Sequence, residues 1–124
     1  MTVAAVTDSA ELLHELRNLC ARLPVPQPSW HPYVPLILTL RKDCERAVEL
    51  AAERPGALEL YAALVEGEAE LAFEPGASPM LAAAWKRLRA LPIPEGEHPY
   101  LDEILPALDA LRVLLVALSH TGAV

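Results

Sequence analysis

The side chains with chemical capacity gather in two short stretches of similar wording. Residues 23–38 read Leu-Pro-Val-Pro-Gln-Pro-Ser-Trp-His-Pro-Tyr-Val-Pro-Leu-Ile-Leu, and residues 91–105 read Leu-Pro-Ile-Pro-Glu-Gly-Glu-His-Pro-Tyr-Leu-Asp-Glu-Ile-Leu. Each contains His-Pro-Tyr, as His31 with Tyr33 and as His98 with Tyr100. Imidazoles and phenols meeting between the two copies, with a carboxylate such as Glu68, could move a proton or hold a small polar ligand. A structural role is simpler: each Tyr anchors its linker while His and Pro shape the start of the next helix. Tyr100 supports that role, because it shares an apolar helical stripe with Leu101, Ile104, Leu108, Leu111 and Leu115. Trp30 has no counterpart in the second stretch. An aromatic carried on a stiff linker suits a partner contact, so Trp30, His31 and Tyr33 form a candidate partner-binding surface.

Other chemistry is weaker. Glu11 and His14 have the Glu-x-x-His spacing of di-iron bundles. At about 100° per residue, however, they point roughly 140° and 160° away from the apolar stripe of their helix, and such a site must face inward. A second match, Glu95 to His98, falls in a linker with no helix to fix its geometry. No metal site is expected, nor any cofactor. Ser9, Ser29, Ser78 and Ser119 stand in no nucleophile-elbow context, and no Gly-rich phosphate loop is present. Cys20 and Cys44 are too few and too far apart for a disulfide framework or a zinc site, and each falls on an apolar stripe as a small hydrophobe.

Composition narrows the setting. A net charge of −7 argues against nucleic acid or an anionic membrane surface as partner, since both require clustered Lys and Arg. The N-terminus lacks the basic and apolar regions of a signal peptide, and the apolar run Val113 to Leu118 is far too short to span a bilayer. A soluble cytoplasmic protein is expected. Aromatics make up only 5% of the 124 residues, and Leu and Ala dominate, which favours helices.

Periodicity and punctuation place five of them. Asp8 with Glu11 has capping-box spacing, and Leu12, Leu13, Leu16, Leu19, Cys20 and Leu23 form one stripe, ended by Pro24. After a stiff Pro-rich linker, Pro35 opens a second helix that Pro55-Gly56 stops; its outer face carries Lys42, Glu45, Arg46, Glu49 and Glu53. A third helix extends to Phe73. Ser78-Pro79 caps a fourth, and a second linker leads to a fifth that Pro106 should kink or divide. The chain thus reads as a single all-α domain, residues 1–124, with helices over about 8–22, 35–54, 57–73, 79–91 and 99–119. The expected architecture is a five-helix antiparallel bundle with an internal duplication of helix, Pro-rich linker and helix, in copies of about 8–54 and 78–121.

Two helices are unusual. On the third, Glu68 falls about 30° from the centre of the apolar stripe, while Glu59, Glu66 and Glu70 align within about 40° of one another. Like charges four apart oppose a helix, as does Gly67 in its interior, so packing or a partner must hold this one. It could offer an acidic docking strip to a basic surface. On the fifth, Val113, Leu114 and Val116 lie off the main stripe. A helix apolar nearly all round is either the centre of the bundle or a dimer face. The function expected is a small acidic adaptor, non-catalytic and homodimeric, engaging a protein partner. The alternatives are a ligand or proton-transfer pocket at His31, His98, Tyr33, Tyr100 and Glu68, and an acidic inhibitor that occludes a basic groove.

Overall fold

The computed structural model describes residues 9–23, 34–76, 78–90 and 101–121; among them are five helices and no strand. Helices α1 (Ser9–Ala21), α2 (Val34–Glu53), α4 (Pro79–Ala90) and α5 (Leu101–Ser119) fall within two residues of the limits read from the sequence. Asp8 and both Pro-rich linkers lie outside the described residues. Ser78 Oγ accepts a hydrogen bond from Leu81 N at 3.4 Å, capping α4 with Pro79 in its first turn. Pro106 does not divide α5, which is continuous through it. In the second turn a proline withholds a single N–H from the ladder, and the burial of the rest of α5 outweighs that loss.

Contacts between elements set the directions of the helices. Arg17 pairs with Glu49, and Arg41 Nη2 donates to Leu23 O at 3.1 Å, so α1 runs antiparallel to α2. Arg87 pairs with Asp43 while Met80 lies beside Leu50, so α4 also opposes α2. Cys44 lies against Ala107, and Arg54 against Leu118, so α2 and α5 run parallel as the central pair. Two antiparallel hairpins, α1–α2 and α4–α5, thus pack with their second helices side by side, and their stripes close one core. Leu16, Leu23, Ile37, Leu40, Val48, Leu81 and Leu111 are all buried in it.

α3 (Ala57–Val65) is eight residues shorter than its sequence pattern suggests, ending at 65 rather than 73. Gly67 is the reason. It adopts φ +78°, its N–H bonds Leu64 O at 3.3 Å, and Glu68 N bonds Ala63 O at 2.8 Å. That pair of bonds is a Schellman stop, with glycine at the left-handed position beyond the helix. Gly67 terminates the helix and is not a defect inside it. The chain from Glu68 to Gly76 then runs as a strap without regular structure against Trp85 of α4 and the C-terminal end of α5. Phe73 stacks on Trp85 with ring centroids 4.6 Å apart. Glu74 N donates to Ser119 Oγ at 3.1 Å, and His120 Nε2 donates to Ala72 O at 2.7 Å.

The two readings of Gly67 give opposite signs for one substitution. Space is open around its Cα, so only backbone strain opposes a side chain there. Gly67→Ala is expected to destabilise the fold by about 1 kcal/mol in urea titration. Inside a continuous helix the same change would add about 1 kcal/mol of stability.

Candidate interaction surfaces

Trp30, His31, Tyr33, His98 and Tyr100 lie outside the described residues, as does the Glu95–His98 pair. What the structure does place is the helix that follows each linker. Leu38 and Leu105 occupy the fifth position of α2 and of α5, five residues after Tyr33 and Tyr100. Both are exposed, at 49% and 44%, so each linker leads into a helix start with a leucine turned to solvent.

The acidic residues of the third segment are redistributed by the early stop. Glu59 is on α3, Glu66 caps its C-terminus, and Glu68 and Glu70 stand on the strap; all four are exposed. The helical strip expected from Glu59, Glu66 and Glu70 therefore does not form, because two of the three lie past the last helical residue. Glu68 likewise leaves the apolar stripe assigned to it. Instead Glu66, Glu68, Glu70 and Glu74 project from a segment whose backbone is tied down by Phe73, Ala72 and the Glu74 amide, with no Lys or Arg between Arg54 and Lys86. This is a solvated acidic ridge.

The face assigned to a dimer contact is corrected as well. Val113 is 9% exposed, Leu114 1% and Val116 5%, all covered by the chain's own helices. α3 and the strap lie over this side of α5. Arg54, at the turn before α3, donates to Leu118 O and Thr121 O at the C-terminal end of α5. Burial first, then the charges of Asp109 and Glu15, raises the Tyr61 phenol above its ordinary value. Of the two alternatives posed by the sequence, α5 is the central helix.

The carboxylate withdrawn from water is Asp43, not Glu68. Its side chain is 10% exposed, whereas the other carboxylates with described side chains are exposed. Arg87 grips it with two bonds, Nε to Oδ2 at 3.0 Å and Nη2 to Oδ1 at 2.8 Å, and this contact raises the guanidinium further. A bidentate pair of this kind locks α4 onto α2. The gaps on either side of it hold about 10 Å³ each, room for one water at most. Cys20 and Cys44 are both buried, and the neighbouring Cys20 thiol together with burial drives the Cys44 thiol up, while Cys44 Sγ lies 4.0 Å from Ala107 O. Glu11 and His14 are exposed, with His14 Nε2 only 3.2 Å from Asn18 Nδ2. Among the described residues no three His, Cys, Asp or Glu side chains converge as a metal site requires.

On the far side of α2 lies an open groove of about 500 Å³, lined by Lys42, Glu45, Arg46, Glu49, Leu50, Glu53 and Met80. It is charged with both signs and floored by two apolar side chains. Among the described residues no helix is long and apolar enough to cross a membrane.

Two substitutions separate these roles. Leu114→Ala is expected to cost about 2–5 kcal/mol, as a buried cavity does, and the size of that loss is expected to be the same at every protein concentration. A concentration-dependent loss would return Leu114 to a subunit interface. Arg87→Ala is expected to cost about 2 kcal/mol, because it leaves the shielded Asp43 carboxylate without its partner, and Asp43→Asn in the same background is expected to recover part of it. Comparison with protein-family models, curated proteins and solved structures finds no match to this chain, so these surfaces are assigned on their own geometry.

Proposed function

We propose that this chain is a cytoplasmic protein-interaction module, homodimeric and without catalysis of its own, built by duplication of a helical hairpin. The observation that carries the reading is the pair Leu38 and Leu105, exposed at the same place in both hairpins beside linkers of repeated sequence. An exposed leucine alone is ordinary. Two at equivalent positions, one next to Trp30, His31 and Tyr33, mark a surface used for contact. Helix lengths of 13 and 20 residues in the first hairpin and 12 and 19 in the second support the duplication.

The acidic ridge supports a second reading, that of an inhibitor docking on a basic groove. Glu66, Glu68, Glu70 and Glu74 are exposed on a tethered segment, an arrangement suited to a cationic partner. The ligand-pocket reading has no such observation, since Glu68 stands exposed past the end of α3.

Affinity capture with the intact chain, with Leu38→Ala and with Trp30→Ala/Tyr33→Ala distinguishes them. The module reading expects a protein recovered by the intact chain and lost from both variants, each keeping the circular dichroism of the parent. Capture that ignores those variants but collapses when salt rises from about 50 to about 500 mM points to the acidic ridge. A partner retained under every condition overturns both.

A further inference from the structure

Among the described residues, no helix covers the outer face of α2. The repeated His-Pro-Tyr aligns α2 with α5 at a spacing of 67, Ile37 with Ile104. Every buried position of α2 has a buried counterpart in that alignment: Leu40 with Ala107, Cys44 with Leu111, Ala47 with Leu114, Val48 with Leu115, and Ala51 with Leu118. α5 buries four positions more. They are Val113, Val116, Ala117 and Ser119, and in α2 they correspond to Arg46, Glu49, Leu50 and Ala52, none of them buried. On α5, Ser119 of this extra face bonds the Glu74 amide of the strap, and α3 also packs on α5. On α2 this face is the open groove, which no described helix covers.

The α2 face has a direction and a charge pattern. α3 packs on α5 and starts at its C-terminal end, where Arg54 holds Leu118 O, and Tyr61, farther along α3, feels the charge of Asp109, farther back along α5. α3 is antiparallel to α5, so the corresponding occupant of the α2 face runs antiparallel to α2. Along that face lie Lys42, Arg46, Glu49 and Glu53, within about 60° of one another on the wheel. Their signs run plus, plus, minus, minus. In one helix this order places like charges four apart twice, which is unfavourable. Among the described residues neither Lys42 nor Arg46 has an ion pair. Turned end for end, the same four residues are their own complement.

We infer that the occupant is α2 of a second copy of this chain, packed antiparallel across a two-fold axis near Ala47 and Val48. Lys42 then faces Glu53 of the partner subunit, and Arg46 faces Glu49 of the partner subunit, each pairing occurring twice. Glu49 already accepts two bonds from Arg17, at 2.8 and 2.9 Å, and a carboxylate has lone pairs for a further donor. Leu50 and Met80, beside the middle of the stripe, supply the apolar contact. With so little apolar area the association is weak, and its orientation is set by charge.

The inference rests on the homodimer in the proposed function and adds its location. Sedimentation equilibrium of the full chain up to about 1 mM, at about 50 and about 500 mM salt, tests it. The parent is expected to dimerise, with about tenfold weaker association at the higher salt. Lys42→Glu/Arg46→Glu and Glu49→Lys/Glu53→Lys are each expected to weaken self-association at least about tenfold, and an equimolar mixture of the two to associate as well as the parent. All four positions are exposed, and circular dichroism checks that each variant folds. A dimer indifferent to both charge reversals overturns the location while the homodimer stands. A parent that stays monomeric throughout removes both.

Discussion

Seven consecutive residues of α5, Val113 to Ser119, are buried. A helix with no polar side over two turns must be wrapped on all sides, and the rest of the molecule is the wrapping. α2 takes one side in parallel, α1 and α4 fill the flanks as the outer helices of their hairpins, and α3 with the strap closes the last. Such an arrangement also has to satisfy the carbonyls at the buried end of α5. Arg54 donates to Leu118 and Thr121, Ser119 Oγ donates to Val116 O at 2.7 Å, and Thr121 Oγ1 donates to Ala117 O at 3.1 Å. Arg54 belongs to the turn between α2 and α3, so the residue that closes the end of α5 also fixes where α3 begins.

The two hairpins differ where this demand differs. Ahead of the linkers the copies align at a spacing of 68, Leu23 with Leu91, so Arg17 of α1 aligns with Trp85 of α4. At the spacing of 67, Glu49 of α2 aligns with Val116 of α5. The open side of the bundle thus carries an exposed ion pair, with each carboxylate and guanidinium favouring the other's charge. Water screens such a pair, and it adds little to stability. The covered side carries a tryptophan stacked beneath Phe73 and a valine sealed under α3. One architecture supports both because a surface helix needs only an apolar stripe, while a wrapped one needs apolar residues all round.

All five helices were legible in the sequence, since their stripes and their Pro, Gly and Ser punctuation agree. The C-terminal end of α3 was not. Ala69 and Ala72 continue the apolar period past the true end, and a period cannot show that Gly67 has turned left-handed. Gly67 is compatible with both a costly interior position and a stop after Val65 and Glu66, and its positive φ decides for the stop. Everything assigned to the acidic face depends on where that helix ends. Val113, Leu114 and Val116 were recognised as surplus apolar residues, but whether such a surplus is covered from within or by another subunit depends on tertiary packing. Asp43 gave no signal at all: it sits at the edge of the α2 stripe, and only the approach of Arg87, 44 residues away, takes it out of water. The nearness of Cys20 to Cys44 was equally hidden, because two stripes say nothing of register between helices.

On the proposed reading, the apolar and charged features on the outside of the molecule would contribute differently. Leu38 and Leu105 stand beside the linkers at the starts of the two central helices, where removal of apolar area from water would drive affinity. The four charges of the α2 stripe carry little apolar area, and screened surface pairs contribute little binding energy. What an ordered set of signs does supply is direction, because parallel packing of two such stripes sets like against like at every step whereas antiparallel packing sets none. A helix face that discriminates strongly between two orientations while binding weakly in either is poorly matched to holding a ligand and well matched to self-association that fixes how two apolar surfaces are presented together.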